Sequence, residues 1–272
     1  MMLLQSTITR LLKKDPNSWT SIIFKDDVEL FEDLVDYCFD VNQPDDKGWT
    51  PLMAAINRGK CEIVKNLSTA KANLNSINKF GWTPLLYAIE LEKVEIVEHL
   101  IDLGADVNQE DVPNCLKSTP LTHAIFKENV KVIEILIQSD ANVDQEDDLG
   151  WTSLTFAIDK DNFEIIKLLT KKGADVNLIG SIGWNPLTYA MHKKNVEIIE
   201  FLVANGAKMN DLGMSYVTPF QIAILQNDME IIKFFKDKGA DLSIRDLRFN
   251  YNSFELAMKD NTVDVLKQLL YQ

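Results

Sequence analysis

An all-α solenoid of stacked helix-turn-helix units with β-hairpin-like loops follows from three features of this 272-residue chain. One phrase recurs, as Gly48-Trp49-Thr50-Pro51-Leu52, Gly81-Trp82-Thr83-Pro84-Leu85, Gly150-Trp151-Thr152-Ser153-Leu154 and Gly183-Trp184-Asn185-Pro186-Leu187. Its Thr slot falls at Asn17, Thr50, Thr83, Thr119, Thr152, Asn185, Thr218 and Asn252, every 33 residues except for one interval of 36 and one of 34. Each period also carries apolar residues at helical spacing. Such a period marks copies of one supersecondary unit, each burying its apolar face only against its neighbours.

Within a unit the elements follow in order. Thr or Asn in the slot accepts hydrogen bonds from free N–H groups at a helix start. Pro51, Pro84, Pro120, Pro186 and Pro219 come next, where a missing N–H costs nothing. A short first helix holds a small residue at one place (Ala55, Ala88, Ala124, Ala157, Ala190, Ala223 and Ala257), which permits close helix approach. The second helix reads Ile63, Val64, Leu67 in one unit, Ile96, Val97, Leu100, Ile101 in the next and Ile198, Ile199, Leu202 further on. Gly104, Gly173, Gly206 or Gly239 ends it in a left-handed cap. Asp106-Val107-Asn108 or Asp175-Val176-Asn177 then leads to the next hairpin.

These phrases, with Gly104-Ala105-Asp106-Val107-Asn108, resemble the ankyrin repeat over roughly residues 12–272, about eight copies. The departures are consistent. The family's His after Thr-Pro-Leu is replaced by Met53, Leu86, Thr122, Thr155, Thr188 and Gln221, so its hydrogen bond is lost or replaced. The second Ala becomes Ile56, Ile89, Ile125, Ile158, Met191, Ile224 and Met258. Lys71 and Asp140 stand where the cap Gly belongs, at about 1 kcal/mol each if φ is positive. The resemblance implies one domain over 1–272: a capping helix over 1–11, a first repeat over 12–44, central repeats over 45–246 and a last repeat over 247–272. Trp19 takes a core Leu slot. A polar outer side of the last repeat (Lys259, Asp260, Asn261, Asp264, Lys267, Gln268) surrounds Val265, Leu266, Leu269 and Leu270, so the chain reads as complete at both ends.

The same resemblance implies protein binding on a concave face, through the residue before the Thr slot and two residues at the end of the first helix. Here these are Trp49, Trp82, Trp151 and Trp184, with Asn57 and Arg58, Glu90 and Leu91, Phe126 and Lys127, Asp159 and Lys160, His192 and Lys193, and Leu225 and Gln226. Tryptophan suits a binding hot spot, because it buries much area at little rotamer cost. Two readings stand open: a two-part aromatic groove beside a longer loop within 111–117, or rings copied by duplication that serve stacking alone. The first predicts that Trp82→Ala or Trp151→Ala abolishes binding with little change in melting temperature.

With 41 acidic against 28 basic residues, the formal charge is −13, spread along the chain. That argues against nucleic acid and anionic membranes, whose binders cluster Lys and Arg. It favours a protein partner with a basic or amphipathic segment, although acidity also serves solubility. The chain is expected to be monomeric. Three cysteines (Cys38 at a helix end, Cys61 near a helix start, Cys115 in a loop) fit a reducing compartment, and no apolar run approaches the 18 residues of a membrane span. The location expected is the cytoplasm, or a host cytosol if the protein is a delivered effector.

No chemistry is expected, and neither cofactor nor metal. His99, His123 and His192 fall in different units without a ligand set. Gly180-Ser181-Ile182-Gly183 is hairpin material, not a nucleophile turn. Asp45-Asp46 and Gln145-Glu146-Asp147-Asp148 read as solvated tips, with a calcium site or a contact for a cationic partner as the alternative. Asn42, Asn108 and Asn177 are similar to asparagines hydroxylated in animal ankyrin proteins, or are plain turn residues. The function expected is a non-catalytic interaction scaffold. The alternatives are a regulatory or targeting subunit of an enzyme assembly, or a host-directed effector of an intracellular microbe.

Overall fold

The computed structural model describes residues 23, 28, 29, 32, 35, 40–110, 118–181, 183–212, 216–259 and 262–270. The capping helix over 1–11, Trp19, Cys38, Cys115 and the insertion within 111–117 lie outside them. Two compact units divide the chain, Met1–Asn142 and Val143–Gln272. Among the described residues every regular element is a helix, so the interhelical loops turn as hairpins without forming strands.

The first unit contains α1 (Pro51–Arg58), α2 (Cys61–Thr69), α3 (Pro84–Glu90), α4 (Val94–Asp102), α5 (Pro120–Phe126) and α6 (Val130–Gln138). Each first helix packs on its own second helix, and α1, α3 and α5 pack in succession, as do α2, α4 and α6. The second unit contains α7 (Ser153–Asp159), α8 (Phe163–Lys171), α9 (Pro186–Lys193), α10 (Val196–Ala204), α11 (Pro219–Gln226), α12 (Met229–Asp237), α13 (Ser253–Lys259) and α14 (Val263–Leu270). There α7, α9, α11 and α13 pack in succession. The seven small residues from Ala55 to Ala257 are fully buried, which is what lets these first helices approach.

Each helix start is built as its residues require. Thr50, Thr83, Thr119, Thr152, Asn185 and Thr218 are extended and accept from the backbone N–H three residues on. The replaced His divides the repeats into two kinds. Thr122, Thr155 and Thr188 return a hydroxyl, and Gln221 a carbonyl oxygen, to the cap residue's own N–H at 2.8–3.1 Å. Met53 and Leu86 are fully buried and have no oxygen to offer. Reciprocal capping satisfies two orphan donors instead of one.

The turns after the second helices are stitched from repeat to repeat. Asn42 Oδ1 accepts from Asn73 N (2.6 Å), Asn108 Oδ1 from Asn142 N (2.7 Å) and Asn177 Oδ1 from Lys208 N (2.8 Å). Their Nδ2 groups donate to the carbonyls of Lys71, Asp140 and Gly206. Asn75, Asp144 and Asn210 repeat the acceptor half of this bond. Lys71 and Asp140 adopt φ of 63° and 62°, so the left-handed strain expected of them is present.

In the last repeat Lys259, Asp264 and Lys267 are exposed and Val265 is fully buried, whereas Leu270 and Met258 are each 65% exposed. Asp260, Asn261 and the side chains of Gln268 and Leu269 lie outside those described. At the Met258 position, Ile56 and Ile89 in the first unit and Ile158, Met191 and Ile224 in the second are at most 1% exposed, each first helix there having the next packed on it.

Candidate partner-binding surface

The hairpins before α1, α3 and α7 are each folded by one carboxylate or amide. Asp45 Oδ1 accepts from Lys47 N (2.8 Å) and Trp49 N (2.9 Å). Asn78 does the same for Phe80 and Trp82, and Asp147 for Leu149 and Trp151. Asp45 and Asp147 therefore organise turns and are not merely solvated tips. Burial outweighs these N–H donors at Asp147 and, with Asp148 and Glu146 nearby, pushes its carboxyl above the usual range. Gly180 takes this position in the fourth phrase. A Cβ there would lie 1.9 Å from the carbonyl oxygen of Gly150, so no other residue fits that approach. No group of three or more His, Cys, Asp or Glu that could hold a metal occurs among the described residues.

Held this way, Trp49, Trp82, Trp151 and Trp184 are all half-buried, neither sealed inside nor free in solvent. Each ring meets residues of the first helices. In the first unit, Trp49 meets Tyr87 edge-on at 4.7 Å, Tyr87 lies 6.1 Å from Trp82, Trp82 meets His123 edge-on at 5.5 Å, and His123 stacks on Phe126 at 6.3 Å. In the second unit, Phe156 lies 5.8 Å from Trp151, Trp151 meets Tyr189 edge-on at 4.9 Å, Tyr189 lies 5.9 Å from Trp184, and Trp184 lies 5.5 Å from His192. Each unit thus carries a continuous ladder in which hairpin rings alternate with helix rings. Edge-on pairs of this kind contribute about 0.5–1.5 kcal/mol beyond area burial. Such contacts give each indole a part in the stacking as well as an exposed edge.

Tyr87, His123, Phe156 and Tyr189 share one position, four residues after the Thr slot, and they were not among the expected site residues. Setting the units in register shows the signal: Ala54, Tyr87, His123, Phe156, Tyr189, Ile222, Leu256.

The residues at the ends of the first helices divide by what holds them. Asn57 accepts from the Tyr87 hydroxyl at 2.8 Å, and Arg58 beside it is exposed. Glu90 binds His123 Nε2 and Lys127 Nζ, both at 2.9 Å. Burial alone would raise the Glu90 pKa, but these two partners outweigh it and hold the carboxyl below its ordinary range. Asp159 accepts from the Tyr189 hydroxyl at 2.6 Å and from Lys193 at 3.3 Å, which likewise outweigh burial and lower its pKa. Burial and then Asp159 push the Tyr189 phenol well above its usual value. Gln226 donates back to the Met191 carbonyl at 3.1 Å. Leu91, Lys127 and Lys160 are the cap residues that follow α3, α5 and α7, each half-buried. Phe126 and Leu225 are about half exposed, at 51% and 50%, and His192 and Lys193 are exposed. Glu90 and Asp159 are thus spent within the protein, and the apolar residues face solvent.

Among the described residues no helix is long and apolar enough to cross a membrane. No curated protein matches the sequence. Among solved structures, the ankyrin repeat domain of Bcl-3, described as a unique member of the IkappaB protein family, superposes with a TM-score of 0.73. It is 22% identical, with 82% of this chain and all of that one covered, a likeness of fold. Three copies of the family described as ankyrin repeats match residues 19–111, 110–180 and 177–246, most of the sequence. With its capped helix pairs and recurring hairpins, the chain belongs to the ankyrin-repeat family.

Proposed function

We propose that the protein is a non-catalytic scaffold that binds a protein partner along the ring ladders. The observation that carries this reading is Phe126, half open to water at the end of α5 and stacked on His123 of the first ladder; Leu225, at the end of α11, is equally open. Exposed apolar residues beside rigid half-buried aromatics make anchors whose ordering costs little on binding. Partner contact falls on Trp49, Trp82, Trp151, Trp184, Phe126, His192 and Leu225. Glu90 and Asp159 attract a cation only by giving up Lys127 and His123, or Lys193, so an amphipathic segment fits better than a purely basic one. The cytoplasm, or a host cytosol for a delivered effector, is the setting proposed.

Phe126→Ser and Leu225→Ser test the reading, because both side chains are open enough to be exchanged without touching the core. Binding partners recovered with the parent protein from its native cells are expected to be lost from one or both variants, with melting temperatures unchanged. Full retention of every partner by both variants sinks it.

A further inference from the structure

The last described repeat presents a surface unlike that of the other described repeats. Its hairpin is pinned by Asp246, which is 2% exposed and accepts from Arg248 N (2.9 Å), Phe249 N (2.6 Å) and Tyr251 N (2.8 Å). This hairpin does not fold its apolar residues inward. Leu247 is 65% exposed and Phe249 61%, and Met258 on α13, beside Lys259 in sequence, is 65% exposed. Three such residues on one repeat exceed the scattered exposure expected of a soluble surface.

Cations rim the patch. Lys259 Nζ sits 4.2 Å from the Phe249 ring and 5.1 Å from Tyr251, and the Arg248 guanidinium lies 5.7 Å from the Tyr216 ring. Among the described residues the ion pairs of this repeat join Arg245 to Glu255 and Lys267 to Asp264, leaving Arg248 and Lys259 outside them. In a chain of net charge −13, this patch has two cations held beside aromatic rings.

Three occupants compete for this surface. Within both units the Met258 position is an interface between described repeats, so a further repeat is the first. However, the residue corresponding to Met53 and Leu86 is here Glu255, paired with Arg245 at 2.9 Å, and a covering repeat would bury that ion pair. The stitching also stops: Ser243, in the place of Asn177 and Asn210, turns its hydroxyl onto its own Asp241 at 2.6 Å. A second copy of the chain is the next, but a two-fold pairing sets two patches of the same positive sign face to face. A segment with carboxylates beside apolar residues meets both features at once. At physiological salt the Debye length is about 8 Å, so these two cations outweigh the distant net charge of the molecule.

We propose that Leu247, Phe249 and Met258, with Arg248 and Lys259, form a second docking surface for a short acidic amphipathic segment of another protein. The apolar residues supply burial, and the cations select glutamate or aspartate on the flanks of the segment. This surface is independent of the ring ladders.

The test uses the full chain and two designed helical peptides with the same Leu and Phe face, one flanked by Glu and the other by Lys. The Glu peptide is expected to bind and the Lys peptide not. Phe249→Ser with Met258→Ser weakens the Glu peptide by about tenfold or more, as loss of central anchors does. Arg248→Glu with Lys259→Glu reverses the preference, which separates recognition from any loss of fold. Phe126→Ser leaves peptide binding unchanged and so distinguishes this surface from the ladders. Failure of both peptides, equal binding of the two, or loss with Phe126→Ser overturns the proposal. So does sedimentation as a dimer that Phe249→Ser dissociates, which would assign the face to a second copy.

Discussion

The Trp49–Tyr87 junction of the first unit and the Trp151–Tyr189 junction of the second are nearly the same object in aromatic geometry. Ring separations are 4.7 and 4.9 Å, with interplanar angles of 67° and 73°. They differ in what the phenol donates to. Tyr87 finds the neutral amide of Asn57, whereas Tyr189 finds the carboxylate of Asp159, which also holds Lys193. The same packing is locked by a neutral bond in one unit and by a charge-assisted one in the other. Geometry in such an array is set by the repeat, and its response to conditions by a single residue.

Removing the rings is the largest way to break the comparison. Trp49→Ala and Trp151→Ala should each cost about 2–3 kcal/mol in urea unfolding, less than a fully buried Trp because the rings are half exposed. Equal melting of parent and variants would show that the ladders contribute nothing to stacking. A smaller and more selective change is loss of the phenol oxygen. Tyr189→Phe is expected to cost about 2 kcal/mol and Tyr87→Phe about 1, following the difference between charged and neutral acceptors.

The same contrast is sensitive to acid. The folded-state pKa of Asp159 is lowered, so its contribution is present above the ordinary carboxylate range and fades as pH falls through the folded value. Asn57 has nothing to titrate. Glu90, lowered by His123 and Lys127, follows the Asp159 pattern in the first unit. Asp159→Asn should therefore flatten the acid limb of stability, and Asn57→Asp should steepen it.

The smallest expected effect has the opposite sign. Asp147 is raised, chiefly by burial, so its stabilising share is present at low pH and is lost as pH rises through its folded value. Asn78 does the same work uncharged. Asp147→Asn should raise stability at neutral pH by about 0.5 kcal/mol, discounted for solvent screening, and leave it unchanged in acid. A loss at neutral pH would mean that charge, not shape, is what this hairpin needs.

Most of the architecture was legible in the amino-acid order because the determinants are local. A Thr slot followed by Pro fixes a helix start within a few residues, and seven small residues at one register fix the contact between first helices. The ladders were legible only in half. The indoles stood out through their rarity, but Tyr87, His123 and Tyr189 are ordinary helix residues until they meet a Trp from the preceding hairpin, about 38 residues earlier in sequence for Tyr87 and Tyr189. The spent carboxylates were hidden for the same reason. Glu90 and Asp159 looked available because their partners, Lys127 and Lys193, come from the next repeat. The exposure of Met258 and Leu270 was not legible, because periodicity marks which residues face a neighbour and not how much of each side chain stays in water.

The close approach at Gly180 bears on anyone wishing to regularise this protein. Aligning its hairpins suggests Asp or Asn at that site, and averaging the copies would install one. The added carbon would collide with the backbone of the previous turn, wrecking the very loop that the substitution was meant to improve. Modules that look interchangeable on paper have, at this joint, been fitted by hand to each other.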